Sequence, residues 1–262
     1  MSLPLDGIKV IELGNFIAGP FCGMLLGDMG ADVIKIERPK NGDQTRAMPP
    51  MLHGQSASFA ALNRNKRSLV LDLKRPEAIE IVKALVKESD VFLENNRPGV
   101  LDGLGLGAKD LKEMNPNIVY VSASGFGQSG PYKKRAGVNL IVEAFSGTLS
   151  VTGAPGEMPM RPGIQTADIF GALFATYAAL SGLISVLKNR GGKVADVSLV
   201  EASIAAAAWE TAYFLATGDV PERMGNQHRL NAPYQLFETN DQQYIAIGTP
   251  NDELFKRFMT VL

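Results

Sequence analysis

Asp168 stands between a Gly/Pro-rich stretch, residues 146–167, and a 19-residue run, residues 169–187, that contains no charged side chain. A carboxylate at the mouth of such an apolar helix gains about 0.3–1 kcal/mol from the helix N-terminus and is ionised at neutral pH. Two jobs fit it. Asp is a favoured cap for a first turn, and an ionised Asp held in place is also a nucleophile. It can attack a thioester carbonyl to give a mixed anhydride, which the released thiolate can attack in turn. That chemistry needs no general base; it needs oxyanion donors and a dry pocket.

A second set of residues follows a series of short β-rich runs. After residues 8–13 come Asn15 to Pro20; after 33–37, Arg38; after 69–73, Lys74 and Arg75. Asn95, Asn96 and Arg97 follow 91–94, and Gly125 to Pro131 (GFGQSGP) follow 118–122. Guanidinium forks, amides and exposed backbone N–H groups on one sheet edge suit phosphate oxygens. Any one of these cations alone reads as solvated surface; their shared edge favours a phosphorylated ligand.

Other chemistries find fewer residues. His53 and His228 have no companion at metal-ligand spacing, so no metal site is expected. Cys22 lies on an apolar helix face and reads as packing, and Trp209 reads as core or interface. No G-x-S-x-G elbow occurs. Gly103, Gly105 and Gly107 follow a Pro-Gly turn instead of a strand, so they do not form a dinucleotide fingerprint.

These residues must be positioned by alternating elements. Strand patterns at 8–13, 33–37, 69–73, 91–94 and 118–122 alternate with helical patterns at 21–29, 76–87 and 109–114. The fold class expected is α/β, with a doubly wound, Rossmann-like, mostly parallel sheet. Helices at 140–146, after Asp168 and at 199–217 follow, with a strand at 195–199. Residues 218–234 read as loop, 244–247 as strand and 252–262 as helix. The expected division is a large α/β domain over 1–217, then a linker and the start of a smaller domain over 218–262. The end at Leu262, inside a helical pattern, reads as a truncation.

Composition sets the outer bounds. With 26 Lys+Arg against 27 Asp+Glu, no nucleic-acid partner is expected. One cysteine and the absence of a signal-peptide pattern at the N-terminus point to a cytoplasmic protein. The apolar run after Asp168 is long enough to raise a membrane span, but its Gly171, Thr176, Ser181, Gly182 and Ser185 suit close packing in a core, so no membrane partner is expected.

Several strings carry a resemblance: AGP at 18–20 with LLGDMGADVIKIERP, Gly42-Asp43, NRNKRSLVLDLK at 63–74, ENNRPG at 94–99 and SGFGQSGPY at 124–132. SGTLSVTG at 146–153, the Asp168 helix, VADVSLVEA and MGNQHRLNAPYQLFETND at 224–241 continue it to the end. The chain resembles the class III CoA-transferases, the group of formyl-CoA transferase, carnitine-CoA transferase and α-methylacyl-CoA racemase.

The resemblance implies an enzyme of acyl-CoA metabolism that transfers CoA from an acyl-CoA to a carboxylic acid by covalent catalysis. Asp168 would be the nucleophile, passing through aspartyl anhydride and aspartyl-CoA thioester. CoA would be a substrate, with no tightly bound cofactor. Ile17 and Ala18 would line its pantetheine and thioester; Arg38, Leu71, Lys74, Asn95, Asn96 and Arg97 its adenosine and phosphates; Ala136, Gly137, Val138 and Asn139 the acyl end. Members form interlocked homodimers.

The chain departs from the family pattern in three places. Asn96 stands where an aromatic residue is usual, Gly103 where a basic residue often contacts CoA, and Val138-Asn139 where many members carry an aromatic followed by an acid. The histidine that racemases carry near this segment is absent. A CoA-binding remnant without turnover, and a racemase or isomerase, are the alternative readings.

Overall fold

The computed structural model describes residues 2–261. In chain order the elements are β1 Lys9–Leu13, α1 Ala18–Asp28, β2 Asp32–Glu37, β3 Met51–Leu52, β4 Gln55–Ser56, α2 Ala57–Asn63, β5 Lys66–Val70, α3 Pro76–Lys87, β6 Val91–Glu94 and α4 Ala108–Met114. Then come β7 Val119–Ser124, α5 Asn139–Phe145, α6 Thr148–Val151, α7 Thr166–Leu187, β8 Val194–Ser198, α8 Leu199–Ala206, α9 Ala208–Thr217, β9 Tyr234–Glu238, β10 Tyr244–Gly248 and α10 Asp252–Met259.

Two compact units divide the chain. The first comprises residues 1–142 and 165–206, the second 143–164 and 207–262. This differs from the expected division at 217/218. The helix pattern read as one element over 199–217 breaks at Ala207 (φ −87°, ψ 43°), and α9 belongs to the second unit.

The first unit holds a six-stranded sheet of order β5-β2-β1-β6-β7-β8, parallel throughout. Successive side chains of a strand point to opposite faces, and here both faces are buried. Val10, Val91, Leu93, Val119 and Val121 join a core with Cys22, Leu26, Ala172, Ala175 and Ala179. Ile11, Phe92, Ile118 and Tyr120 join another with Val82, Val86, Leu106 and Leu111. Helices α1 and α7 therefore cover one face, and α3 and α4 the other.

α7 is apolar and long enough by length and composition to cross a membrane. Its Ala167, Gly171, Ala172, Ala175, Ala179, Gly182 and Leu183 are buried, against β7, β8, α1 and α8. A Cβ on Gly182 would overlap the Val119 side chain, and one on Gly171 would sit 2.7 Å from Leu199 Cγ. Small residues at these positions let the helix lie directly on the sheet.

Strands β1 and β6 lie side by side, and the chain proceeds outward from them in opposite directions. Ligands of open α/β sheets bind at such a switch point, beyond the carboxyl ends of the strands.

The second unit contains the antiparallel pair β9–β10, in register Tyr244↔Glu238. Asn251 caps α10 by accepting from Leu254 N at 2.9 Å. Trp209, expected as core or interface, is 70% exposed, and its ring meets His228 edge-on at 6.2 Å.

Candidate functional site

The switch point opens into two adjoining cavities of the first unit. One, of about 420 Å³, is lined by Asn15 to Ala18, Asn95 to Pro98, Ala123 to Phe126, Lys133, Arg135 to Asn139, Asp168 and Leu199. The other, of about 590 Å³, is lined by Arg38, Leu71, Lys74 and further residues of the β2 and β5 ends. Asn15, Phe16, Asn95, Asn96 and Arg97 border both. All thirteen residues singled out from the sequence thus border one continuous cleft: Ile17, Ala18, Ala136, Gly137, Val138, Asn139 and Asp168 in the first cavity, Arg38, Leu71 and Lys74 in the second, Asn95, Asn96 and Arg97 between. Arg38, Lys74 and Arg97 are exposed and form no ion pair among the described residues, although Arg38 Nε donates to Gly42 O at 3.0 Å.

Asp168 is half-buried and is the third residue of α7. The cap position belongs to Gln165, whose side chain makes no capping bond. Two first-turn donors are instead taken by Asn139 at the start of α5: its Oδ1 accepts from Ala167 N at 3.1 Å and Asp168 N at 3.3 Å. The first-turn N–H groups of a helix lack intrahelical partners, and a neutral amide oxygen supplied from another element satisfies two of them. A residue expected at the acyl end of CoA therefore also fixes the backbone of Asp168.

The segment carrying Asn139 is pinned against the end of β7. An ideal Cβ on Gly125 would lie 2.6 Å from Gly137 Cα, closer than such atoms approach, so the two backbones cross where only glycine fits.

The two asparagines after β6 are structural as well as lining. Asn95 and Asn15 clasp each other: Asn15 N donates to Asn95 Oδ1 at 2.9 Å and Asn95 Nδ2 to Asn15 O at 2.8 Å. Asn96 Nδ2 donates to Leu13 O at 3.0 Å, and Asn96 N to Glu94 Oε2 at 2.7 Å. The side-chain amides read from sequence as phosphate contacts are thus engaged in joining the β1 and β6 loops across the switch point. Asn96, where an aromatic residue is usual, suits this joint because it carries a donor.

Beneath the first βα loop lies a buried ionic network that the sequence reading missed. Lys35 Nζ contacts Glu12 Oε1 at 2.8 Å, Asp43 Oδ2 at 2.9 Å and Gly14 O at 2.7 Å. Lys66 Nζ contacts Glu12 Oε2 at 2.8 Å, Asn63 Oδ1 at 2.9 Å and Pro20 O at 2.7 Å. All four charged side chains are at most 2% exposed, and their formal charges cancel. Burial alone would push the Lys35 ammonium toward neutrality, but Glu12 and Asp43 overcome it and raise its pKa; at Lys66 burial prevails and the pKa is lowered. The two ammoniums grip the carbonyls at both ends of the 14–20 loop, whose Phe16 adopts φ 62°. A signal existed: Glu12 and Lys35 are charged residues flanked by apolar ones within buried parallel strands, where an unpaired charge is costly.

Glu37, bordering the second cavity, is held by Arg46 Nε at 2.7 Å and Nη2 at 2.6 Å, Ser68 Oγ at 2.6 Å and Asp43 N at 2.9 Å. Burial would raise its pKa; the donors, Arg46 foremost, lower it to about 2. Cys22, fully buried, has its thiol pushed up to about 12, chiefly by burial, so it remains a packing residue.

Comparison with known proteins agrees with this architecture. Succinyl-CoA:glutarate CoA-transferase of Homo sapiens is 39% identical over 260 residues, which are 99% of this chain and 59% of that protein. Succinate--glutarate CoA-transferase of Agrobacterium fabrum is 40% identical over 266 residues, 99% of this chain and 66% of its own length. The chain thus spans about three-fifths to two-thirds of these relatives. Among solved structures, a CAIB/BAIF family protein from Brucella suis superposes with a TM-score of 0.91 at 40% identity, covering 100% of this chain and 70% of that one. The sequence model described as CoA-transferase family III matches residues 5–262, and the chain belongs to that family.

Proposed function

We propose that this protein transfers coenzyme A from an acyl-CoA thioester to a carboxylic acid, with Asp168 as the covalent relay. The observation that carries the reading is the placement of Asp168 in the same cleft as the cation-bearing loops of the switch point. The phosphates would lie by Arg38, Lys74 and Arg97 and the adenosine by Leu71, the pantetheine passing Ile17 and Ala18. The acyl group would reach residues 136–139.

An Asp168 carboxylate oxygen attacks the thioester carbonyl carbon; a C–O bond forms, the C–S bond breaks and CoA thiolate leaves. The thiolate attacks the aspartyl carbonyl of the anhydride, expelling the donor acid and leaving an aspartyl-CoA thioester. The acceptor carboxylate repeats the sequence in reverse: it displaces thiolate to form a second anhydride, and thiolate then takes the acceptor's acyl carbon, restoring Asp168. No proton and no electron is gained or lost overall.

The names of the relatives and the cations Lys133 and Arg135 on the Asp168 cavity support a short dicarboxylic acid as donor acyl group and acceptor. Incubation with succinyl-CoA and hydroxylamine, followed by peptide mass spectrometry, tests the relay. A hydroxamate on Asp168 is expected; labelling elsewhere, or turnover that survives Asp168→Ala, would overturn it. CoA binding by calorimetry with no transfer to any acid would favour a binding-only protein.

A further inference from the structure

Three serines at the carboxyl ends of β7 and β8 differ in one respect. Ser122 Oγ accepts from Gln128 Nε2 at 2.6 Å, and Ser198 Oγ accepts from Glu201 N at 3.3 Å. Ser124, paired with Ser198 in the sheet and 6% exposed, has no partner for its Oγ among the described residues. A buried hydroxyl left unpaired is costly, and native proteins keep few such groups. Ser124 lines the cavity that Asp168 lines.

Three contacts connect it to Asp168. Ser124 is followed by Gly125, whose backbone crosses that of Gly137. Two residues on, Asn139 bonds the backbone N–H groups of Ala167 and Asp168. The phosphate-suited Arg38 and Lys74 border the other cavity, which Ser124 does not touch. The hydroxyl therefore belongs with the reacting end of the ligand and not with its phosphates.

We propose that the Ser124 hydroxyl donates a hydrogen bond to the carbonyl oxygen of the acyl group during its transfer at Asp168. The inference rests on the CoA-transfer reading. As the Asp168 oxygen bonds to the carbonyl carbon, the carbonyl π electrons move to oxygen; Ser124 keeps its proton and stabilises that negative charge. When the C–S bond breaks, the carbonyl reforms and the charge leaves on the thiolate. A donor aimed at developing charge acts on the rate more than on ground-state binding.

The test compares wild-type protein with Ser124→Ala and Ser124→Cys. Formation of the Asp168 adduct from succinyl-CoA without acceptor is followed by rapid quench and mass spectrometry, and affinity for free CoA by calorimetry. Both variants are expected to form the adduct roughly 100–1,000-fold more slowly, as for loss of one oxyanion donor, with free-CoA affinity unchanged. Cysteine fills the serine's space but donates weakly, so a wild-type rate in Ser124→Cys would mean packing and overturn the inference, as would a wild-type rate in Ser124→Ala. A wild-type protein that forms no adduct would overturn the Asp168 relay itself, and the role of Ser124 with it.

Discussion

Asn139 decides how Asp168 is held. Its amide oxygen replaces a carboxylate cap and orders the first turn of α7 without adding charge beside the carboxylate. Asn139→Asp would bring a second negative charge close, and like charges favour protonation. The acid limb of kcat/KM is then expected to move upward by about one pH unit, while Asn139→Ala lowers the rate and leaves the limb in place. Coincident pH profiles for wild type and Asn139→Asp would refute this. Glu37 makes a different prediction, about stability. Its pKa falls from 4.5 unfolded to about 2 folded. A depressed carboxyl contributes stability above about pH 4.5 that is lost as pH falls toward 2. Because Arg46 is 41% exposed, the contribution is discounted to at most about 1–2 kcal/mol. Arg46→Met should shrink the loss of stability between pH 5 and 2.5, read by denaturant unfolding across that range. Of the residue-scale features, Asp168 was legible because a lone acid before an uncharged run is conspicuous; Ser124 was not, since nothing local says which serine lacks a partner.

The loops that frame the cleft owe their shape to elements beneath them. Lys35 and Lys66 neutralise Glu12 and Asp43 while holding Gly14 O and Pro20 O. Lys35→Met would leave two buried carboxylates against one ammonium, and breaking such a network costs about 3–5 kcal/mol. Thermal unfolding should show a large drop in Tm; a shift within error would sink this account of the loop. At the β7 end, Gly125→Ala should displace the 136–139 segment, since the added methyl meets Gly137 backbone. The expected result is at least about a tenfold loss in kcat/KM, a fall of about 1.4 kcal/mol in transition-state stabilisation, with secondary structure by circular dichroism preserved. Many elements could be read locally. The pattern predicts a helix over 76–87, where α3 lies, and a strand over 91–94, where β6 lies. β5 was misplaced: expected at 69–73, it runs Lys66–Val70. It is one of the two edge strands of its sheet, and an exposed edge tolerates the polar Lys66-Arg67-Ser68 start that conceals it.

On the scale of the molecule, α7 carries a row of exposed apolar residues, Leu173, Phe174, Tyr177, Ile184 and Leu187, opposite its buried small-residue face. A stripe of this kind supports the homodimer that the family resemblance implies. Tyr177→Glu with Leu187→Glu should halve the mass seen by light scattering; an unchanged mass would place any dimer contact elsewhere. By itself the sequence determined the types of most elements, though not β3, β4, α2 or β9, along with the α/β class and the family, because hydrophobic period, glycine and proline punctuation and motif strings are properties of neighbouring residues. It also placed Ile17, Ala18, Arg38, Lys74, Asn95, Asn96 and Arg97 after strands, hence on one edge. Only the tertiary structure decided the order β5-β2-β1-β6-β7-β8, which makes β1 and β6 neighbours and their loops one cleft. Tertiary structure also paired Asn15 with Asn95, Lys35 with Asp43, Gly125 with Gly137 and Asn139 with the α7 first turn. None of these pairs is visible in sequence, because each joins segments brought together by burial of two apolar sheet faces, not by any preference of the residues for one another along the chain.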